Sequence, residues 1–247
     1  HYSLKCNGVE VDCDELQPGI SKLSLRTDAF RSGDKIEIVF ESDDTEKAIA
    51  STVIPGTFPQ YELELCKSSN AQRNIKIRYN DDPDTEDWYA ASVKWNGLQE
   101  RYVGLDEPQI VEVRNQMIYP PTGYNDLQLE PESYSPIIVS FQGDYLYVWK
   151  DSEEEDNEYD LCFNYRSNWD GYVTSVKDAE VQCTLFKLSE EMYRYLFAEF
   201  DSWNNPFIEA GMSSPAFTYS NVRNGAGYLC GYSVVHSEWI KDNLFEE

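Results

Sequence analysis

Histidine is nearly missing from this chain of 247 residues: His1 and His236 are the two present. Chemistry that needs an imidazole base therefore has His236 to use, and no neighbouring pattern marks a nucleophile for it. HExxH, GxSxG and Walker A patterns are absent. No apolar run reaches about 18 residues, so no segment reads as a spanning helix. Bases are scarce too: 20 stand against 45 acids, a formal net charge of −25. Such a surface repels nucleic-acid phosphates and anionic headgroups, which argues against both as partners. The six cysteines include no CxxC pair, which removes zinc-ribbon and thioredoxin-like sites. Asn7-Gly8 reads as a two-residue hairpin turn. That register puts Cys6 opposite Val9 and Tyr2 opposite Cys13, so a Cys6–Cys13 bridge is not expected, and buried free thiols are. No leader pattern opens the sequence given: "HYSLKCNGVEV" has no basic start, apolar stretch or cleavage site. The expectation is a mature or truncated piece, with any targeting signal upstream.

Aromatics are plentiful, at 14% with 18 Tyr, and they favour strands. Period-two alternation recurs in "KIEIVF" (35–40), "YELEL" (61–65), "IKIRY" (75–79), "AEVQCTLFKL" (179–188) and "AGYLCGYSVV" (226–235). "WYAASVKWNGLQERYV" (88–103) reads as a hairpin turning at Asn96-Gly97, and "IIVSFQGDYLYVW" (137–149) as one turning near Gly143. One helix is expected near 189–202. Ser189 is its N-cap, Glu190 and Glu191 sit in its first turn, and Met192, Leu196 and Phe200 form its buried stripe. The fold class is mainly β. An immunoglobulin-like β-sandwich domain over 1–56, incomplete at its start, precedes a larger antiparallel β domain over 57–247. The proline-rich "VIPGTFPQ" (53–60) marks the boundary.

Three features invite a functional reading. In "NDDPDTED" (80–87), Asp82, Asp84 and Glu86 alternate as calcium ligands would, but Pro83 interrupts and the central Gly and final Glu of an EF-hand are missing. Calcium there is weighed against a plain solvated loop, and no other cofactor is expected. Tyr124, Trp169 and Tyr172 lie in loops and could stack on a ligand. "YSNVRNGAGYLCGYS" (219–233) holds Gly225, Gly227 and Gly231, yet no helix and no Lys follow as a phosphate cradle requires. Its glycines read as a positive-φ turn at Gly225 and close backbone approaches at Gly227 and Gly231.

The series "LSEEMYRYLFAEFDSWNNPF" then "SPAFTYSNVRNGAGYLCGYS" resembles the C-terminal signature of domain-of-unknown-function family 4249, found among surface lipoproteins of Bacteroidetes. The matching residues are Tyr193 and Tyr195, Asn205-Pro206-Phe207, Ser220-Asn221, Gly225-x-Gly227 with its aromatic, and Gly231-Tyr232-Ser233. "KAIASTVIP" (47–55) is similar to that family's exit from its first β domain. The resemblance covers 188–233 best and leaves 105–170 without a motif. It implies a lipid-anchored protein of the outer membrane, reaching the membrane through an N-terminal anchor upstream. Its partner would be a TonB-dependent transporter. Separately from the resemblance, an exposed aromatic platform in 119–136 or 165–172 would favour a glycan or peptide ligand. The shared residues read as structural. A non-enzymatic capture or accessory module is the expected function. An adhesion or structural surface protein is the alternative, and a carboxylate-based hydrolase the third reading.

Overall fold

In the computed structural model the described residues are 2–10, 30–42, 45–67, 72–102, 107–118, 137–141, 144–151, 156–164, 172–204 and 219–243. The fold is mainly β, with antiparallel pairing throughout and one helix among the described residues. Two compact units divide the chain, His1–Thr57 with Lys187–Ser233, and Phe58–Phe186 with Val234–Glu247.

The first unit carries β1 (Tyr2–Cys6), β2 (Val9–Glu10), β3 (Lys35–Ser42) and β4 (Thr45–Val53), in the order β2-β1-β3-β4. Asn7 and Gly8 both have positive φ, 49° and 81°, as a type I′ turn needs. Cys6 pairs with Val9, as that turn predicts. Cys13 lies outside the described residues. Helix α1 (Glu190–Asn204) also belongs here. Ser189 caps it through an Oγ that accepts from Met192 N at 3.2 Å. Met192 and Leu196 are fully buried and Phe200 is half-buried, the stripe expected from the spacing.

The second unit holds a three-stranded sheet of β5 (Tyr61–Lys67), β6 (Gln72–Asn80) and β11 (Asp156–Asn164), ordered β11-β6-β5. A seven-stranded sheet contains β7 (Trp88–Tyr102), β8 (Gln109–Met117), β9 (Ile137–Phe141), β10 (Asp144–Lys150), β12 (Tyr172–Leu188), β13 (Tyr232–His236) and β14 (Ile240–Lys241). Ile75, Ile77, Tyr79 and Leu161 of the smaller sheet share one core with Tyr89, Val93, Trp95, Tyr147, Trp149, Val181 and Leu185 of the larger. The two sheets are therefore layered face to face. Phe58 sits edge-on to Tyr79 and Tyr89, at 5.2 and 5.0 Å between centroids. Trp149 Nε1 donates to Tyr79 Oη at 3.0 Å. The tyrosines supply apolar bulk, and their hydroxyls find partners.

Three expectations are corrected. Asn96-Gly97 does not turn: β7 runs straight through it, and the pair forms a β-bulge against β8. Asn96 is spent on tertiary bonds, donating from Nδ2 to Glu180 at 2.8 Å and accepting at Oδ1 from Asn115 N at 2.7 Å. Residues 226–231 form no strand, and pairing begins at Tyr232. Of the thiols Cys6, Cys66, Cys183 and Cys230, all free, Cys183 is buried and the other three are half-buried.

Candidate functional site

The glycine-rich segment is built by side chains that stand in for a sheet ladder. Asn221 Nδ2 donates to Ser51 O and Leu229 O at 3.2 and 2.7 Å, while its Oδ1 accepts from Leu229 N at 2.8 Å. Asn224, in the left-handed region at φ 57°, donates to Lys47 O at 3.1 Å. Arg223 and Ile49 exchange backbone bonds at 3.0 and 2.8 Å. Gly227 has φ 128°, a conformation open to glycine alone. A Cβ on Gly225 would fall 2.9 Å from Val222, and one on Gly231 3.4 Å from Pro55. Positive φ thus belongs to Gly227, and close approach to Gly225 and Gly231, which exchanges two of the roles expected from sequence.

The same segment closes onto the helix. Ser189 N donates to Gly231 O at 2.9 Å, and Ser189 Oγ accepts from Gly231 N at 3.1 Å. Thr52 Oγ1 donates to Glu191 at 2.8 Å. Ser233 Oγ donates to Gly56 O. On this frame Tyr228, 45% exposed, stacks on Tyr195 with centroids 3.9 Å apart and planes at 27°. Burial and the Tyr228 hydroxyl push the Tyr195 phenol up, so it stays neutral. Tyr232 and Val53 are exposed as well. Cys230, beside Met192 at 3.3 Å, is pushed up to about 11 by burial, and Cys183 to about 12. Neither is a thiolate at neutral pH.

A second cluster lies in the other unit. Asp81, Asp87 and Asp151 bring carboxylate oxygens within 4.8 Å of one another. Asp151 is 6% exposed, and its carboxyl accepts the Asp87 backbone N–H. Burial first, then the Asp81 and Asp87 charges, push Asp151 up to about 6. Tyr89 Oη donates to Asp81 at 2.5 Å. Three such oxygens can share a proton or take a hard divalent cation.

Residues 3–238 match the family described as a domain of unknown function (DUF4249). The chain belongs to the DUF4249 family. No curated protein and no solved structure matches it. Of this DUF4249 chain's signature residues, Tyr195, Asn221, Gly225, Gly227 and Gly231 converge on the frame just described. Ser220 Oγ accepts from Val222 N at 3.4 Å. Tyr193 lies 6.1 Å from Phe197 by ring centroid. Asn205, Pro206 and Phe207 lie outside the described residues, as do Tyr124 and Trp169. Tyr172 begins β12.

Asp82, Asp84 and Glu86 are exposed and do not converge. Asp82 Oδ1 accepts from Asp84 N at 3.1 Å, and Glu86 pairs with Lys150. The acids that do converge bracket that loop, with Asp151 arriving at the end of β10. His236 is exposed at the end of β13, its Nδ1 3.0 Å from Thr184 Oγ1. Tyr228 was missed as an exposed aromatic because its neighbours in sequence read as strand. No helix among the described residues is long and apolar enough to cross a membrane.

Proposed function

We propose that this DUF4249 protein is a non-enzymatic, lipid-anchored surface protein of the outer membrane that captures ligand for, or docks onto, a TonB-dependent transporter. The supporting observation is the Tyr228–Tyr195 stack. An exposed aromatic face is held on a segment fixed by at least six hydrogen bonds. Rigid exposed aromatics supply contact area at low entropic cost, which suits a glycan ring or a peptide side chain. A net charge of −25 keeps such a surface off anionic lipid.

A hydrolase is the second reading, and Asp151 is the observation that favours it, since its carboxyl holds a proton toward pH 6. The cluster crowds three carboxylates within 4.8 Å of one another, an arrangement that suits a shared proton or a bound cation. A glycan and peptide array run beside a transporter pull-down tests the proposal. Binding that Tyr228→Ala removes, or a stable transporter complex, supports it. Turnover of a glycoside that Asp151→Asn abolishes would replace it with the hydrolase.

A further inference from the structure

Strand β13 lies at one end of the seven-stranded sheet, with β12 on one side and no strand on the other among the described residues. Its register on β12 is fixed at both ends. Ser237 N donates to Cys183 O at 2.9 Å, and Ser189 N to Gly231 O at 2.9 Å. The pairing is antiparallel, so the odd-numbered residues from Gly231 to Ser237 turn their peptide groups toward β12, and the even-numbered ones turn theirs to the open edge. The Thr184 Oγ1 to His236 Nδ1 contact at 3.0 Å fits that register, since side chains meet closely across a non-hydrogen-bonded pair. Side chains divide the same way. Val235 packs against the core, while Tyr232, Val234 and His236 are exposed, Val234 at 49%. The Val234 and His236 peptide groups therefore point outward beside exposed side chains.

An open edge invites pairing, and proteins guard against it with charge, proline, shortness or cover. Among the described residues every other edge carries such a guard. β5 exposes Glu62 and Glu64, β11 exposes Glu158, and β8 exposes Glu112 and Arg114. β2 and β14 are two residues long. β9 is uncharged but buried over Ile137–Val139, and β4 bonds to Arg223 through Ile49. β13, Tyr-Ser-Val-Val-His, has no acid, lysine, arginine or proline, in a chain that is 26% charged. Its pattern also sets what fits. Main-chain donors and acceptors two residues apart, about 7 Å along the strand, match another extended backbone rather than a sugar. A second copy of this chain is a poor occupant. Strands this short cover far less than the roughly 1,200 Å² of a stable interface, and each copy carries a charge of −25. That same charge favours a segment carrying lysine or arginine.

We propose that β13 accepts an added strand: an extended, basic segment of another protein pairs with its open edge at Val234 and His236. This goes beyond the aromatic-face reading and does not depend on it. Amide hydrogen exchange on the full chain, read by NMR, tests it. In the free protein the Ser233 and Val235 amides exchange slowly, and the Val234 and His236 amides exchange fast. Two capped peptides are then added, KVTVKVTVK and the same peptide with glutamate for each lysine. The lysine peptide protects the Val234 and His236 amides saturably and binds about tenfold tighter than the glutamate peptide, the sum of two or three exposed ion pairs. Val234→Pro removes an outward N–H at a position where an edge strand tolerates proline, and abolishes the protection. Val234→Lys installs the guard that other edges carry and weakens the lysine peptide. An unchanged melting temperature shows that each variant folds. Slow exchange of the Val234 and His236 amides in the free protein overturns the proposal, because the edge is then already covered. So does failure of the lysine peptide, equal binding by the glutamate peptide, or binding that survives both variants. Dimerisation in sedimentation that Val234→Pro abolishes gives the edge to a second copy and overturns it too. Tyr228→Ala leaves the protection unchanged, so loss of capture at the aromatic face and loss of strand pairing are told apart.

Discussion

Asp151 is a residue whose burial works against folding at neutral pH. Its carboxyl is raised from 3.8 to about 6, so the native state holds the proton more tightly than the unfolded chain does. The stability this contributes is fully present below about pH 4 and is lost as pH rises through about 6. Asp151→Asn keeps an oxygen for the Asp87 N–H and removes the charge. With EDTA present it should stabilise the protein at pH 7.5 by about 1–3 kcal/mol and flatten the fall in melting temperature between pH 4 and 6. Calcium that raises the wild-type melting temperature but not the variant's would show the same carboxylates taking a cation. Asn221 makes the opposite prediction. Asn221→Ala strands Leu229 N–H and two carbonyls, and should lower stability by about 2 kcal/mol by chemical unfolding. At this scale the sequence was partly legible. Ser189 announced its cap because an N-cap is a local signal. The convergence of Asp81, Asp87 and Asp151 was not legible, because a strand pairing 60 or so residues away delivers the third acid, a separation on which local pattern is silent.

At the scale of the element, alternation identified β3, β5, β6 and β12, the hairpin pattern over 137–149 identified β9 and β10, and the 3.6-residue stripe identified α1. Asn96-Gly97 misled because the dipeptide that favours a tight turn also favours a bulge. Tertiary bonds from Asn96 to Glu180 and Asn115, on other strands, decided between them. Gly97 then gains a demand invisible in sequence, since the Lys177 carbonyl lies where its side chain would be. Gly97→Ala should cost about 1–3 kcal/mol by overpacking, read as a lower denaturation midpoint at unchanged m-value. An unchanged midpoint would mean that β12 yields without strain. Across the smaller sheet, Lys76 and Arg78 of β6 bridge Glu158, and Arg78 also reaches Glu64. These pairs are exposed and fix register more than stability.

At the scale of the whole molecule, the family signature and the fold agree about what the shared residues do. Tyr195, Asn221, Gly225, Gly227 and Gly231 lie far from β4 in sequence, yet they build the frame that joins the glycine-rich segment to β4 and α1 within one unit. Those residues therefore identify the family through packing, and the face they hold up is the exposed Tyr228 ring stacked on Tyr195. Membership was legible because the signature is concentrated in two stretches, 188–207 and 214–233. The ligand was not, because its candidate residues are scattered and differ in no compositional way from ordinary surface. The central claim is partnership with a transporter. The most direct measurement is affinity purification of the tagged protein from solubilised membranes of the cells that make it, with mass spectrometry of what accompanies it. A TonB-dependent transporter recovered in near-equal amount, and lost on detaching the partner under mild denaturant, is the predicted result. The protein recovered alone, or with no outer-membrane β-barrel in stoichiometric amount, would contradict it.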